Sequence, residues 1–156
     1  MRVVDFIASG FYISKIPSYF SKRESKFRGC GLFGTLLAFI LLPLTPEKNN
    51  LLFLIVFTLF AIYISHNAFI LSGEKDNPLI VIDEICGYWW CFLFFEKNII
   101  NAISLFVFFR IFDTIKPWPI KKLENINFRG FSIVIDDIVA GLYASFVMFL
   151  SLCFLV

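Results

Sequence analysis

"GFSIVIDDIVAGLYASFVMFLSLCFLV" occupies residues 130–156, and the reading of this stretch decides the fold. A helix needs about 20 predominantly apolar residues to cross a bilayer. This stretch supplies them, provided that Asp136 and Asp137 sit near one end. A charge at a bilayer centre costs on the order of 3 kcal/mol even on the gentler insertion scales, so such groups face a polar interior or a partner. The phrase has an echo, since "LIVIDEICG" at 79–87 again sets two acids, Asp83 and Glu84, after Ile-Val-Ile. Glycine follows each pair, Gly87 four residues after Asp83 and Gly141 four after Asp137. Residues four apart share a helix face, and a glycine there lets another helix approach closely.

The rest of the chain agrees with a membrane reading. Hydrophobic residues make up 59% of the 156, with 22 Phe, and the mean hydropathy is +0.82. Soluble domains run at about 45–50% apolar even when glycine is counted, and small domains leave much of their surface exposed. The length predicts one domain, 1–156. Five apolar runs stand out, at 31–44, 51–71, 79–95, 99–112 and 131–156. They predict an all-α, multi-helix integral membrane protein with about four or five membrane-embedded helices. Turn chemistry separates the runs at 43–50, 72–78, 96–98 and 116–130.

Orientation follows from the basic residues. The first 29 residues hold six of them, Arg2, Lys15, Lys22, Arg23, Lys26 and Arg28. The positive-inside rule makes 1–29 a basic cytoplasmic segment and sends 43–50 out, 72–78 in, 96–98 out and 113–130 in. Asp83, Glu84, Asp113, Asp136 and Asp137 then share the cytoplasmic side. No cleavable signal peptide is expected, because Asp5 comes early and no long apolar stretch follows it. A net charge of +2 gives no ground for a nucleic-acid partner. The four cysteines form no C-x-x-C, and three lie in apolar runs, which predicts buried, inert thiols.

Paired carboxylates in an oily run repel each other, and a divalent cation relieves both the repulsion and the burial. Mg²⁺ prefers oxygen ligands, usually one or two carboxylates completed by water and phosphate. In "FFRIFDTIKPWPIKK" (108–122), Arg110 and Asp113 are spaced i,i+3 on one helix face, and Pro117 ends the helix after Lys116. Arginine suits bidentate phosphate recognition and lysine acts as a point charge. Arg110 and Lys116, with Arg129, are the candidate phosphate ligands. His66, the single histidine, lies near one end of run 51–71, as a polar helix-end residue or a supporting hydrogen-bond partner of the acids.

Several chemistries are excluded. One histidine rules out relays that need two, and there is no C-x5-R loop, no D-x-D-x-T and no Walker A lysine. "GCGLFG" at 29–34 fits G-x-G-x-x-G, but it opens an apolar run instead of following a strand, so dinucleotide binding is not expected. Metal-assisted chemistry on a phosphate at a membrane surface remains.

Three ordered motifs, "KDNPLIVIDEICGYW" (75–89), "FRIFDTIKPWPI" (109–120) and "GFSIVIDDIVAGLYA" (130–144), resemble the bacterial phosphatidylglycerophosphatase A family over roughly 60–156. The resemblance implies a Mg²⁺-dependent lipid phosphatase of the bacterial cytoplasmic (inner) membrane. It would convert phosphatidylglycerophosphate to phosphatidylglycerol and phosphate. It puts functional weight on Asp83, Glu84, Arg110, Asp113, Lys116, Asp136 and Asp137, with the five acids as the catalytic groups expected to hold one or two Mg²⁺ ions, and adds some to His66. The implied partners are the lipid substrate and membrane lipids. The family's P-G-T-x-G-S segment corresponds here to "CGLFGT" (30–35), where Gly31, Gly34 and Thr35 remain and "SYFSKRESKFR" (18–28) looks like an insertion before it. Two alternatives stand beside this one: a phosphatase for another lipid head group, and a cation transporter lined by the carboxylates. The transporter is disfavoured by the gathering of all the acids at one side.

Overall fold

The apolar runs fold as helices, and the helix ends fall where backbone chemistry puts them. The computed structural model describes residues 2–16, 29–47, 50–72, 77–123 and 127–155, apart from the side chains of Arg2, Phe69, Ile70, Ser72, Arg129 and Leu155. The basic stretch 18–28 lies outside the described residues. Seven α-helices appear among them: α1 (Arg2–Ala8), α2 (Cys30–Leu41), α3 (Asn50–Ser72), α4 (Ile82–Trp90), α5 (Ile99–Ile115), α6 (Ile120–Leu123) and α7 (Arg129–Leu155). Gly29, at φ 66°, lets the chain turn into α2. Asn98 caps α5 by accepting a hydrogen bond from the Asn101 amide at 2.9 Å. Lys116, left-handed at φ 46°, ends α5 just before Pro117.

Helix α7 is the axis of the assembly. It packs against α3, α4, α5 and α6, and α4 packs in turn against α2 and α3. The tightest approach is between α4 and α7. A Cβ added to Gly87 would lie 2.6 Å from the Asp137 carbonyl oxygen, and one added to Gly141 would press on the Gly87 carbonyl. Small residues at such crossings let backbones touch.

One apolar core surrounds Tyr88, Phe92, Leu105, Phe109, Ala140 and Ala144, and a second surrounds Ala61, Ile64, Cys86, Val134 and Ile138. The aromatic residues of α4 tie it to three neighbours. The Tyr88 hydroxyl donates to the Ala102 carbonyl at 2.9 Å, the Trp89 indole to the Ala38 carbonyl at 3.0 Å, and the Trp90 indole to Thr58 Oγ1 at 2.9 Å. Tyr88 is fully buried. Tyr88→Phe is therefore expected to lower stability by about 1 kcal/mol, the usual net worth of one hydrogen bond, measured as a fall in the thermal midpoint in detergent.

Among the described residues two stretches are long and apolar enough to cross a bilayer, Asn50–Ala68 and Gly130–Phe154. At 1.5 Å per residue they rise about 28 and 37 Å, against a hydrocarbon core of about 30 Å. Helix α4, with nine residues, rises only about 14 Å before the 3₁₀ turn Cys91–Leu93. The run 79–95 therefore forms a short helix wedged among longer ones. The outward face of α3 exposes Leu52, Val56, Leu59 and Tyr63, an apolar surface.

The N-terminus is more than a basic tail. Helix α1 packs on α3, with Ala8 buried in the second core. The Ala8 carbonyl accepts from the Val81 amide at 2.8 Å, and the Ser14 hydroxyl donates to the Leu79 carbonyl at 2.9 Å. Val4 and Ile7 supply the apolar face that the charges around them mask in the sequence.

Candidate active site

The first turn of α4 and the middle of α7 meet at the glycine crossing, and their acids meet with them. Asp83, Glu84 and Asp137 each offer an oxygen, and the three oxygens lie within 4.8 Å of one another. Asp83 stands one turn before Gly87, on the face that Gly87 rests against α7. The acids also open α4, where the positive end of the helix dipole favours anions. Asp137 is buried, and Asp83 Oδ1 and Glu84 Oε2 are buried with no hydrogen-bond partner among the described residues. Asp113 lies near enough for its charge to bear on all three.

The other two acids are held by cations. Asp113 Oδ2 is 2.8 Å from Arg110 Nη1, one turn earlier on α5. Asp136 Oδ2 is 2.8 Å from Lys116 Nζ. The two neighbouring aspartates of α7 thus diverge, as residues 100° apart on a helix must. Asp137 joins the cluster and Asp136 meets the turn after α5. Of the five candidate carboxylates, three form the cluster and two are ion-paired beside it.

The site has a wall that sequence reasoning left without a role. Arg110 Nη1 donates to Thr35 Oγ1 at 3.2 Å, and the Thr35 hydroxyl donates to the Gly31 carbonyl at 3.0 Å. A Cβ on Gly31 would collide with Glu84 Oε1 and lie 3.2 Å from Arg110 Nη1. Gly34 packs on Val81, the residue before α4, where a Cβ would come within 2.6 Å of the Val81 Cβ. The spacing Gly31, Gly34, Thr35 is that of one helix face, and this was the legible signal.

His66 stands apart. Its ring stacks on Phe128 at 5.3 Å, its Cβ faces Gly130, and its buried Nδ1 has no partner among the described residues. Gly130 precedes Asp137 by seven residues, about 10 Å along α7. The Arg129 side chain lies outside the described residues.

The donor set fits a hard divalent cation. Three carboxylates converge, and two hold buried oxygens without partners, an arrangement that buried polar groups normally avoid. An octahedral ion with oxygens at about 2.1 Å keeps them about 3 to 4.2 Å apart, so small side-chain rotations close the cluster to that spacing.

A family model described as phosphatidylglycerophosphatase A matches residues 6–152. A phosphatidylglycerophosphatase A of Haemophilus influenzae is 35% identical over 124 residues, covering 76% of this chain and 73% of the relative. One of Escherichia coli is 35% identical over 89 residues, 56% of this chain and 52% of the relative. A Bacteroides thetaiotaomicron protein provisionally named a phosphatidylinositol-3-phosphatase is 33% identical over 124 residues, 73% of this chain and 77% of the relative. No solved structure matches the chain. The family model takes in all three acidic motifs and the Thr35 wall, and the chain belongs to the phosphatidylglycerophosphatase A family of enzymes.

Proposed function

We propose that this enzyme hydrolyses the terminal phosphomonoester of phosphatidylglycerophosphate, releasing phosphatidylglycerol and inorganic phosphate, with Mg²⁺ as cofactor. The observation that carries the reading is the cluster of Asp83, Glu84 and Asp137, with unpartnered buried oxygens, beside the anchored Arg110. When bound, Mg²⁺ supplies Lewis acidity to the phosphate and lowers the pKa of a bound water. Asp83, Glu84 and Asp137 would hold the ion, and Asp113 sets the direction of the Arg110 guanidinium. Arg110 neutralises phosphate oxygens, and Lys116, steadied by Asp136, adds positive charge beside the cluster. Water adds to phosphorus, the bond to the glycerol oxygen breaks, and a proton from the water ends on that oxygen.

In the same reading the protein sits in the bacterial inner membrane with four or five embedded helices and the site towards the cytoplasm. The lysines and arginines of 1–29 and 113–130 support that orientation.

A second reading, an inositol lipid phosphate as substrate, is favoured by the name of the Bacteroides relative. Purified protein in mixed micelles decides between them. The expected result is Mg²⁺-dependent phosphate release with a kcat/KM at least about tenfold higher for phosphatidylglycerophosphate than for phosphatidylinositol 3-phosphate, a head-group difference of about 1.4 kcal/mol. The reverse preference establishes the second reading. Absence of release from either lipid under any divalent metal removes both.

A further inference from the structure

The Thr35 wall has a role that the acid motifs do not assign. Thr35 is fully buried in α2, 75 residues away in sequence from the arginine it touches. Its hydroxyl proton is committed to the Gly31 carbonyl one turn back, so the oxygen can only accept. It accepts from Arg110 Nη1. Thr58 in α3 behaves the same way, donating to the Leu54 carbonyl at 2.7 Å and accepting from the Trp90 indole at 2.9 Å. In both places a back-bonded threonine presents a lone pair of fixed direction to a donor on another helix.

The consequence differs at Arg110, because a guanidinium has two edges. Nη1 lies 2.8 Å from Asp113 Oδ2 in an ion pair and donates to Thr35 Oγ1 at 3.2 Å. Among the described residues the contacts of Arg110 all fall on Nη1, so Nη2 and Nε keep their hydrogens for another acceptor. Asp113 alone would leave the plane of the fork free to turn about the one ion pair. Two acceptors on two helices fix that plane, and the missing side chain at Gly31 leaves room for Nη1 beside Glu84.

We propose that Thr35 is a positioning residue for phosphate recognition. It locks the Arg110 guanidinium so that its open edge meets the oxygens of a phosphate monoester held at the acid cluster. This deepens the reading of the site as a lipid-phosphate phosphatase and rests on it. Thr35 itself touches no reacting atom.

The test uses full-length protein in mixed micelles and two measurements, the KM for phosphatidylglycerophosphate and the Kd for inorganic phosphate with Mg²⁺ present. Thr35→Val is expected to raise both about tenfold, the lower end of what a hydrogen bond to a charged group is worth. Thr35→Ser, which keeps the hydroxyl, should bring both back to within about twofold of wild type. In an Arg110→Lys background the fork is gone, and Thr35→Val should then add less than about twofold, the signature of two residues acting through one contact. Unchanged constants in Thr35→Val overturn the proposal, and so does an undiminished tenfold loss in the Arg110→Lys background. If the valine protein does not fold, Thr35→Ala removes the same acceptor without placing a methyl against a cation and is read by the same criteria. If the wild type turns over no lipid phosphate, the function falls, and the phosphate Kd still decides the role of Thr35.

Discussion

Asp137→Asn is expected to slow phosphate release at least about a thousandfold, and to abolish the rise in thermal midpoint that Mg²⁺ gives the wild type. The first effect follows from the position of Asp137. It is the one member of the cluster contributed by α7, and Asp83 and Glu84 both come from α4. Removing its charge leaves a site held from one side. The loss of about 4 kcal/mol of charge stabilisation that a divalent ion provides corresponds to about a thousandfold in rate. The second effect separates chemistry from folding. A ligand at a hundred times its Kd stabilises the state it binds by about 2.7 kcal/mol. Wild-type protein should show that gain in detergent and the asparagine protein should not. Without metal the order reverses. Two ionised carboxylates with oxygens within 4.8 Å of each other repel by about 3 kcal/mol or more at an effective dielectric of 20. The neutral amide relieves part of that, so the metal-free variant should melt at or above the wild-type temperature. A variant that keeps its activity, or that Mg²⁺ still stabilises, removes Asp137 from the site.

Gly87→Ala is the second large effect, and it needs no change of charge. The new Cβ would lie 2.6 Å from the Asp137 carbonyl oxygen, 2.7 Å from its carbon and 2.8 Å from its Cβ. None of these is the end of a flexible side chain, so the helices must part. Alanine favours helix over glycine by about 1 kcal/mol, but overpacking at a buried contact costs about 1–3 kcal/mol, and the contact wins. Separation of α4 from α7 moves Asp83 and Glu84 away from Asp137. A displacement near 1 Å is enough to cost about a hundredfold in rate. The expected variant is folded, less stable, and about a hundredfold slower. Gly29→Ala is the control, since a Cβ there meets nothing within 4 Å. It carries only the strain of a positive φ, about 1 kcal/mol, and keeps its activity. Equal activity of the Gly87→Ala protein and wild type would remove the crossing as the device that sets the cluster.

The sequence made the helices and their glycines visible, because periodicity and the i,i+4 rule are local. Asp83 with Gly87, Asp137 with Gly141, and Arg110 with Asp113 could all be paired by counting along the chain. Counting could not tell Asp136 from Asp137. Which of two adjacent acids joins the cluster depends on how α7 is rotated against α4, and the Gly87 and Gly141 carbonyl contacts set that rotation. Thr35 was out of reach for a similar reason. Its partner lies on another helix 75 residues away, so the shared face of Gly31, Gly34 and Thr35 could be read but not the arginine it meets. The packing of α1 was hidden because Arg2 and Asp5 interrupt the apolar residues Val4, Ile7 and Ala8. Run lengths pointed to about four or five membrane-embedded helices; among the described residues two stretches are long and apolar enough to cross a bilayer, and α4 stops after nine residues. Its hydropathy reports burial in the bundle as readily as contact with lipid.

Asp136 and Asp137 make α7 behave like a shaft keyed on two sides. One key engages Lys116 beyond the end of α5 and the other engages the acids of α4. Turning the shaft to improve either fit spoils the other, so only one azimuth satisfies both. Gly141, one turn further on, is the bearing surface against α4 that holds this setting. Insertion of a single residue between the keys and the bearing would advance the shaft by about 100° and disengage both. Residues added beyond the bearing would lengthen the shaft and leave its timing intact. The chemistry therefore depends on the indexing of a few consecutive positions, and the apolar remainder of α7 can change in length and composition around them.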